Sequence, residues 1–189
     1  MFDFGFFNNR ITGEVDYYVK NTTDLLLNVN VPATTGFNSV VKNLGALENK
    51  GFEFALNSTN IDSRDFRWTT NFNITFPDNK VVKLAGTPFA SGFASWVEEG
   101  QDLGAFRGFV VKGIFQTQEE IAAAPVHSAA TRPGDIEFAD LDGDNRITTA
   151  DQEIIGSAVP DFFGGMINEL SYKGIGLNFF LQFVSGNEI

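Results

Sequence analysis

Apolar and polar residues alternate along several stretches of the chain, which is the pattern of a β-strand with one apolar face. In Phe66–Phe76 the even positions carry Phe, Trp, Thr, Phe, Ile and Phe, and the residues between them are Arg, Thr and Asn. Ile11–Lys20 and Ile175–Phe183 repeat the pattern. Weaker alternation predicts further strands at Phe2–Asn8, Gly51–Ser58 and Phe162–Tyr172. The sequence therefore predicts about six strands.

The predicted connections alternate between short and long. Asn8–Arg10, Asn60–Asp65 and Lys173–Gly174 are short, whereas Asn21–Lys50 and Pro77–Asp161 are long. Outer-membrane barrels have short periplasmic turns and long extracellular loops, and a soluble sandwich has no reason to place every long loop at one end. We therefore expect an all-β fold: a segment of an antiparallel, up-and-down transmembrane β-barrel, with residues 77–161 as a long extracellular loop.

The composition suits a β-protein but does not separate a soluble one from an outer-membrane one. Hydrophobic residues make up 43% of the chain, and its formal net charge of -11 argues against nucleic acid as a partner. There are 21 Phe residues against 3 Tyr and 2 Trp. Phe that alternates with polar residues favours a surface in contact with lipid, although an ordinary aromatic core would give the same excess.

The apolar stretches match membrane strands better than membrane helices. The longest, Ile175–Val184, is too short for a transmembrane helix but has the length of a transmembrane strand. Six strands cannot close a membrane barrel, because the smallest single-chain barrels have about eight. We therefore expect residues 1–189 to form part of a larger barrel, with unpaired strands near Phe2 and Val184.

The most specific motif lies in the predicted long loop. Asp140–Asp151 has the sequence DLDGDNRITTAD, which places carboxylates at the first, third, fifth and twelfth positions of a calcium loop. Asn145 occupies the sixth position, where Gly is usual, and Asn tolerates the positive φ of a sharp bend. Ile147 is the apolar anchor. The predicted Ca²⁺ ligands are the side chains of Asp140, Asp142, Asp144 and Asp151 and the carbonyl of Arg146.

The residues around this motif predict how it is held. We expect Thr149 to cap a helix, Gln152 to complete a capping box and Gly156 to end the helix. Because Gly134–Phe138 has the pattern of a strand, only half of an EF-hand is present, and we expect a structural ion. A solvated acidic turn is the alternative. Thr117 and Glu120 predict a second capped helix, ending at Ala124.

Other side chains in the long loop suggest binding more than catalysis. Its aromatic residues are candidates for contact with a ligand or a partner, although such residues often pack the loop itself; they are Phe89, Phe93, Trp96 and Phe106. His127 is the single histidine and cysteine is absent. With no nucleophile elbow or phosphate-binding glycine loop either, we predict that the protein is not an enzyme.

A series of short motifs resembles a known family. In order along the chain they are Thr22–Leu27 (TTDLLL), Asn49–Glu53 (NKGFE), Pro133–Ile136 (PGDI), Ile155–Gly156 and Gly186–Ile189 (GNEI). Together they resemble the SusC/RagA family of TonB-linked outer-membrane receptors, in the C-terminal half of the barrel. The resemblance spans nearly the whole chain.

This resemblance implies a function and partners. Such receptors are barrels of about twenty-two strands, plugged by an N-terminal domain, that import oligosaccharides or peptides across the outer membrane with energy relayed by the TonB complex. They are similar in pairing with a SusD-like surface lipoprotein. The signal peptide, TonB box, plug and closing strands have no counterpart in residues 1–189, so we expect a partial barrel.

Two other classes are compatible with parts of the sequence. One is a secreted, calcium-stabilised β-rich module that binds carbohydrate or docks a partner as dockerins do, although dockerins carry two calcium loops and this chain shows one. The other is a calcium-dependent hydrolase, which would require a nucleophile or base that no motif supplies.

Overall fold

The computed structural model describes residues 1–30, 36, 39–84, 86–92 and 95–188, and strands dominate these residues. In chain order the strands are β1 (Phe2–Phe6), β2 (Ile11–Asn30), β3 (Ser39–Asp62), β4 (Phe66–Leu84), β5 (Phe89–Ala90), β6 (Ser95–Val97), β7 (Ala105–Phe109), β8 (Val111–Ile114), β9 (Ile136–Phe138), β10 (Gln152–Ser157), β11 (Phe162–Tyr172) and β12 (Ile175–Ser185). The helix α1 (Gln118–Ala123) precedes β9, and a 3-10 helix (Thr149–Asp151) precedes β10. Among these described residues, no helix is long and apolar enough to cross a membrane.

The largest sheet within the described ranges has six strands in the order β1-β2-β3-β4-β11-β12. Every neighbouring pair is antiparallel, and strands that are close in sequence are adjacent in the sheet. Tight turns join β1 to β2 and β11 to β12, and residues in both turns have positive φ, including Asn8 and Gly174. The predicted up-and-down antiparallel sheet of about six strands is confirmed.

Three strands are longer than predicted. The stretch Asn21–Lys50 was expected to be a loop, but β2 continues to Asn30 and β3 begins at Ser39. Likewise β4 continues to Leu84, so the long connection begins after the predicted Pro77. Beyond Lys20 the alternation is lost, yet the strands go on pairing because ladder hydrogen bonds join backbones whatever the side chains are.

The register gives the sheet two chemically different faces. One face carries rows of large apolar side chains, such as Tyr17 opposite Phe52, which in turn lies opposite Phe76. The neighbouring residues on these strands point to the other face, where Asp16 lies opposite Glu53. We call these the apolar face and the polar face. Many side chains on the apolar face are more than half exposed, including Phe2, Leu177 and Ile175.

One polar cluster interrupts the apolar face near the short turns. Asn168 is 4% exposed, and its side-chain oxygen accepts hydrogen bonds from Trp68 Nε1 at 3.0 Å and from Thr70 Oγ1 at 2.7 Å. Thr70 Oγ1 also accepts a hydrogen bond from Asn60 Nδ2 at 2.7 Å. The buried amide therefore has partners on β4, which in turn binds β3.

The long connection folds into small sheets instead of an irregular loop. In the described residues, one sheet has the strand order β10-β7-β6-β5, and β8 pairs with β9 in another. A buried core of Leu47, Val81 and Val97 joins the first of these sheets to β3 and β4. Partly buried residues pack around this core: Leu25, Leu84, Phe89 and Leu103.

The connection is attached to the polar face of the large sheet. Leu47 and Val81 lie opposite each other, on the same side of their strands as the cross-strand pair Asn49 and Asn79. Leu103 N donates to Asn79 Oδ1 at 2.9 Å, and Val81 exchanges backbone hydrogen bonds with Gln101 and Gly100 at 2.9 and 2.8 Å. We call this attachment the loop seat; it lies on the far side of the sheet from the Phe rows.

Candidate metal centre

Three carboxylates of the Asp140–Asp151 motif come together. Asp140, Asp142 and Asp144 each offer an oxygen, and these oxygens all lie within 4.8 Å of one another. Two ligands of one Ca²⁺ ion, each about 2.4 Å from it, are at most about 4.8 Å apart. The spacing therefore fits one ion, and oxygen-only ligands are the type that Ca²⁺ prefers.

Backbone hydrogen bonds orient these carboxylates. The two oxygens of Asp140 accept from Gly143 N at 2.7 Å and from Asn145 N at 2.8 Å. Asp142 Oδ1 accepts from Asp144 N at 3.1 Å, and Asp144 Oδ1 accepts from Arg146 N at 2.7 Å. Each side chain thus folds back onto the residues that follow it, and this curls the segment around its own carboxylates.

The bend of the motif has the backbone that the sequence predicted. Asn145 has φ of 63° and Gly143 has φ of 77°. The left-handed region is open to Gly and costs Asn less than most residues. The expectation that Asn145 replaces the usual Gly at the bend is confirmed.

Asp151 ties the two ends of the motif together. It is fully buried, and its Oδ1 accepts hydrogen bonds from Leu141 N at 2.8 Å and from Asp142 N at 3.4 Å. Its Oδ2 accepts from Thr148 N at 2.7 Å. Asp151 is outside the group of three converging carboxylates found among the described residues. The structure shows Asp151 accepting main-chain hydrogen bonds that close the motif. That it also binds an ion stays a prediction.

The helix after the motif differs from its prediction. Thr148, not Thr149, is the N-cap, and Asp151, not Gln152, completes the capping box. The helix is a single 3-10 turn, because Gln152 already pairs with Phe109 in the β10–β7 ladder. The expected stop at Gly156 is therefore wrong, since Gly156 lies inside β10.

The other predicted cap is partly correct. Thr117 Oγ1 accepts from Glu120 N at 3.2 Å and caps α1, which ends at Ala123. The carboxylate of Glu120, however, accepts from Gln116 N at 2.7 Å. In a capping box this carboxylate would accept from the N–H of the cap residue Thr117, but here it accepts from the residue before the cap.

A neighbouring segment pairs with the second half of the motif. Val126 N donates to the carbonyl of Asn145 at 3.0 Å, and Ile147 N donates to the carbonyl of Val126 at 2.9 Å. Ile147 is 8% exposed and lines a cavity of about 90 Å³ together with Phe115 and Phe138. Ile147 thus anchors the motif to the loop's apolar interior, as the sequence predicted.

The electrostatics of the motif favour a cation. The N–H of Asp144 lowers the pKa of Asp142, but desolvation and the negative charges of Asp144, Asp151 and Asp140 together raise this pKa above its ordinary value. The pKa of Asp151 is lowered, chiefly by the N–H of Thr148 and also by those of Leu141 and Asp142, against the opposing effect of desolvation. A bound divalent cation would relieve the repulsion at Asp142.

Two of the aromatic contact candidates pack within the loop. Phe89 lies against the core of the loop seat, and the ring of Trp96 is covered by the Arg107 guanidinium, whose carbon is 4.3 Å from the ring centroid. Phe106 is half-buried, and Phe93 lies outside the described residues. Contact of these four residues with a ligand or a partner stays a prediction.

Sequence reasoning missed Arg107. Its guanidinium donates to the carbonyls of Thr149 at 3.3 Å and Gln152 at 3.4 Å, on either side of Asp151. An arginine in a short strand carries no sequence signal for such a role, because its partners lie more than 40 residues away. His127, the sole histidine, is exposed and its ring contacts Phe109 and Phe138 at centroid distances of 5.9 and 5.1 Å.

Comparisons with known proteins agree over nearly the whole chain. The family model described as "TonB dependent receptor-like, beta-barrel" matches residues 2–154. TonB-dependent receptor P3 of Formosa agariphila is 40% identical over 197 residues, covering 99% of this chain and 20% of that protein. TonB-dependent receptor SusC of Bacteroides thetaiotaomicron is 31% identical over 190 residues, covering 95% of this chain and 18% of that protein.

A solved structure has the same fold. The structure of the RagAB peptide transporter matches with a TM-score of 0.77 at 23% identity, covering 97% of this chain and 20% of that one. At this identity the match concerns the fold alone. The chain spans about a fifth of the length of the curated relatives that it matches.

Proposed function

This chain belongs to the TonB-dependent receptor β-barrel family, and we propose that it forms a wall segment of an outer-membrane transporter that imports oligosaccharides or peptides. The observation that carries the proposal is the two-faced, up-and-down sheet. Its apolar face would contact lipid, and its polar face would line the lumen, as in membrane barrels.

The height of the apolar face fits a membrane. The alternating row Phe66–Phe76 extends about 33 Å along its strand at about 3.3 Å per residue, and a tilt of about 40° reduces this to about 25 Å along the membrane normal. That is the height of the apolar band of outer-membrane barrels. A water-exposed sheet would have no reason to keep Ile175 at 75% exposure and Phe2 at 66%.

Both ends of the apolar row carry residues suited to a membrane boundary. Directly above Phe76, on the same face, the Lys50 ammonium lies 3.1 Å from the Asp78 carboxylate. At the end near the short turns, Phe66 packs edge-on against Tyr172 with centroids 6.5 Å apart. Charged residues outside the band and aromatic residues at its edge are typical of membrane barrels.

The loop would then lie over the lumen on the extracellular side. Its seat is on the polar face, beyond the end of the apolar row, so the small sheets sit above the lumen-facing wall. This position suits a loop that meets incoming solute or a surface partner. We propose a SusD-like lipoprotein as that partner and the TonB complex as the energy source, on the strength of the similarity to SusC.

We also propose that the acidic motif binds a structural Ca²⁺. Asp140, Asp142 and Asp144 would supply carboxylate oxygens, Arg146 its carbonyl, and Asp151 a further oxygen from its position at the closure of the motif. The ion would contribute charge neutralisation among the clustered carboxylates and would fix the fold of residues 140–151. The support is the mutual spacing of three carboxylates and the confirmed bend at Asn145.

The two proposed substrate classes, peptides and oligosaccharides, have different support. The RagAB structures are titled as a peptide importer or transporter, whereas the notion of oligosaccharides rests on the resemblance to SusC. Four curated relatives, receptors P3, P26 and P39 of Formosa agariphila and SusC of Bacteroides thetaiotaomicron, are each named as a TonB-dependent receptor. This supports binding and transport, and not catalysis, as the activity of the whole protein.

The test is surface proteolysis of the full-length protein in intact cells, combined with membrane fractionation. We expect an outer-membrane product that is cleaved between residues 85 and 161 from outside, and more rapidly after chelation of calcium. A secreted product with no outer-membrane pool would contradict the transporter and favour a calcium-stabilised binding module. An outer-membrane product that is cut equally fast with and without chelator would leave the barrel intact and refute the structural ion.

A further inference from the structure

The residues that follow β12 contact the end of the loop strand β10. Glu188 N donates to the carbonyl of Ser157 at 2.9 Å, and Glu188 Oε2 accepts from Ser157 N at 2.9 Å. This contact joins two of the short motifs in the sequence, Ile155–Gly156 and Gly186–Ile189. The proposed function gives neither motif a role.

A glycine turn directs the chain from β12 towards β10. β12 ends at Ser185, whose carbonyl accepts from Asp161 N at 2.9 Å. Gly186 then has φ of 88°, a left-handed conformation that glycine adopts readily and residues with a Cβ do not. A Cβ at Gly186 would also overlap the side chain of Asp161. The chain therefore turns away from the large sheet at Gly186 and reaches Ser157 two residues later.

A second glycine leaves room for the Glu188 carboxylate. A Cβ at Gly156 would coincide with Glu188 Oε2. Gly156 is outside the left-handed region, so this position requires glycine for space and not for its backbone conformation. Among the described strands, β10 is at the edge of its sheet and pairs with β7 on one side. Glu188 therefore covers the open side of β10 at Ser157.

This contact attaches the loop to the large sheet at a second place. The seat joins β6 to β3 and β4, whereas Glu188 joins β10 to the end of β12. In the small sheet β7 separates β6 from β10, and in the large sheet β11 separates β4 from β12. Ser157 Oγ also donates to Asp102 Oδ2 at 2.7 Å, and Asp102 directly precedes Leu103 of the seat. Ser157 thus connects the two attachments.

We propose that residues 186–188 form a latch, in which the Glu188 carboxylate fixes the β10 side of the loop to the large sheet. With the latch closed, both sides of the small sheet are tied down. With the latch open, the seat still holds the β6 side, and the β10 side moves more freely. The latch itself does not depend on transport, but its consequence for access to the lumen rests on the proposed function.

The expected effect is that of one exposed hydrogen bond. Glu188 is exposed, so water competes for its carboxylate. Loss of such a bond changes an equilibrium by about two- to tenfold. We therefore expect Glu188→Ala to increase local opening of β10, and hence its hydrogen exchange, by about this factor. Glu188→Gln keeps an acceptor without the charge and should have a smaller effect.

The experiment is hydrogen exchange of the purified full-length protein in detergent, read at residues 152–156 and 158 and at β6. Ser157 is left out because its own N–H loses its acceptor in the variant. Glu153→Ala is the matched control, since Glu153 is an exposed glutamate on the same strand. Gly156→Ala should displace the Glu188 carboxylate and speed exchange as Glu188→Ala does.

The double variant tests whether Gly156 and Glu188 act together. Residues that act through one contact are not additive, so Gly156→Ala should add little in the Glu188→Ala background. If it speeds exchange there as much as in the wild type, the latch is refuted. The latch is also refuted if Glu188→Ala changes β10 no more than Glu153→Ala does, or changes β6 equally. These readouts do not depend on where the protein resides, so failure of the latch is distinguishable from failure of the proposed function.

Discussion

Val97→Ala tests whether the loop is held to the barrel wall by the small apolar core of the seat. Val97 is 1% exposed and is surrounded by Leu47, Val81 and partly buried neighbours. The substitution removes two methyl groups, worth about 1.5 kcal/mol of transfer free energy at about 0.8 kcal/mol each. The residual cavity adds to this loss, so we expect about 2–3 kcal/mol in total.

This loss should fall on the seat and not on the whole barrel. The six-stranded sheet has ladders of its own that do not pass through Val97. A loss of about 2–3 kcal/mol corresponds to an increase of about 30- to 150-fold in the opening equilibrium of the loop. Because exchange of protected amides follows that equilibrium, residues 95–103 should exchange faster by about the same factor.

The assay is hydrogen exchange of the full-length receptor in detergent, compared with Val111→Ala. Val111 is 58% exposed on β8, so the control removes the same methyl groups without opening a cavity. We expect little change in the control. If Val97→Ala leaves exchange in 95–103 unchanged, or accelerates exchange equally in β4 and β11, the assignment of Val97 to a local seat is refuted.

Substitutions at three further positions test the motif and the wall. Asp142→Ala should weaken calcium binding and increase the rate at which a soluble protease cleaves residues 133–160, while the strands stay ordered. If the wild type is cleaved at the same rate with and without chelator, this prediction is wrong. Asn145→Gly should preserve calcium affinity, whereas Asn145→Val should lower it, because a β-branched residue is strained at φ of 63°. If calorimetry gives the two variants the same calcium affinity, the positive φ at residue 145 is not needed for binding. Asn168→Leu should destabilise the detergent-solubilised barrel by about 1–3 kcal/mol, because Trp68 Nε1 loses its acceptor; an unchanged thermal unfolding midpoint would refute this.

The prediction of the sheet succeeded where the two faces differ chemically. Along Phe66–Phe76 and Ile175–Phe183, alternation located strands and assigned each residue to a face before any pairing was known. It failed beyond Lys20, where the polar run Asn21–Asp24 and then the apolar run Leu25–Leu27 replace the alternation. There the strand persists through its backbone partner on β3, and a sequence pattern carries no record of that partner.

For the acidic motif too, local features were predicted correctly and features that depend on distant segments were not. The spacing of its carboxylates, the bend at Asn145 and the buried Ile147 follow from residues within one short segment, and the structure has the bend and the burial as predicted. The cap was assigned one residue too late, to Thr149. Gln152 is not part of the helix because it pairs with Phe109 of β7, a strand that is distant in sequence. Arg107 gave no signal at all, since its partners are remote in sequence.

The sequence by itself determined the β-strand period, the chemistry of each face and the spacing of the carboxylates in the acidic motif, because these properties depend on the residues and their immediate neighbours. Only the tertiary structure decided how far the strands extend, that the loop is seated on the polar face through Val97, and that Arg107 donates to the carbonyls of Thr149 and Gln152 beside Asp151. Those features arise from contacts between segments far apart in the chain, where pairing and burial, and not local pattern, select the conformation.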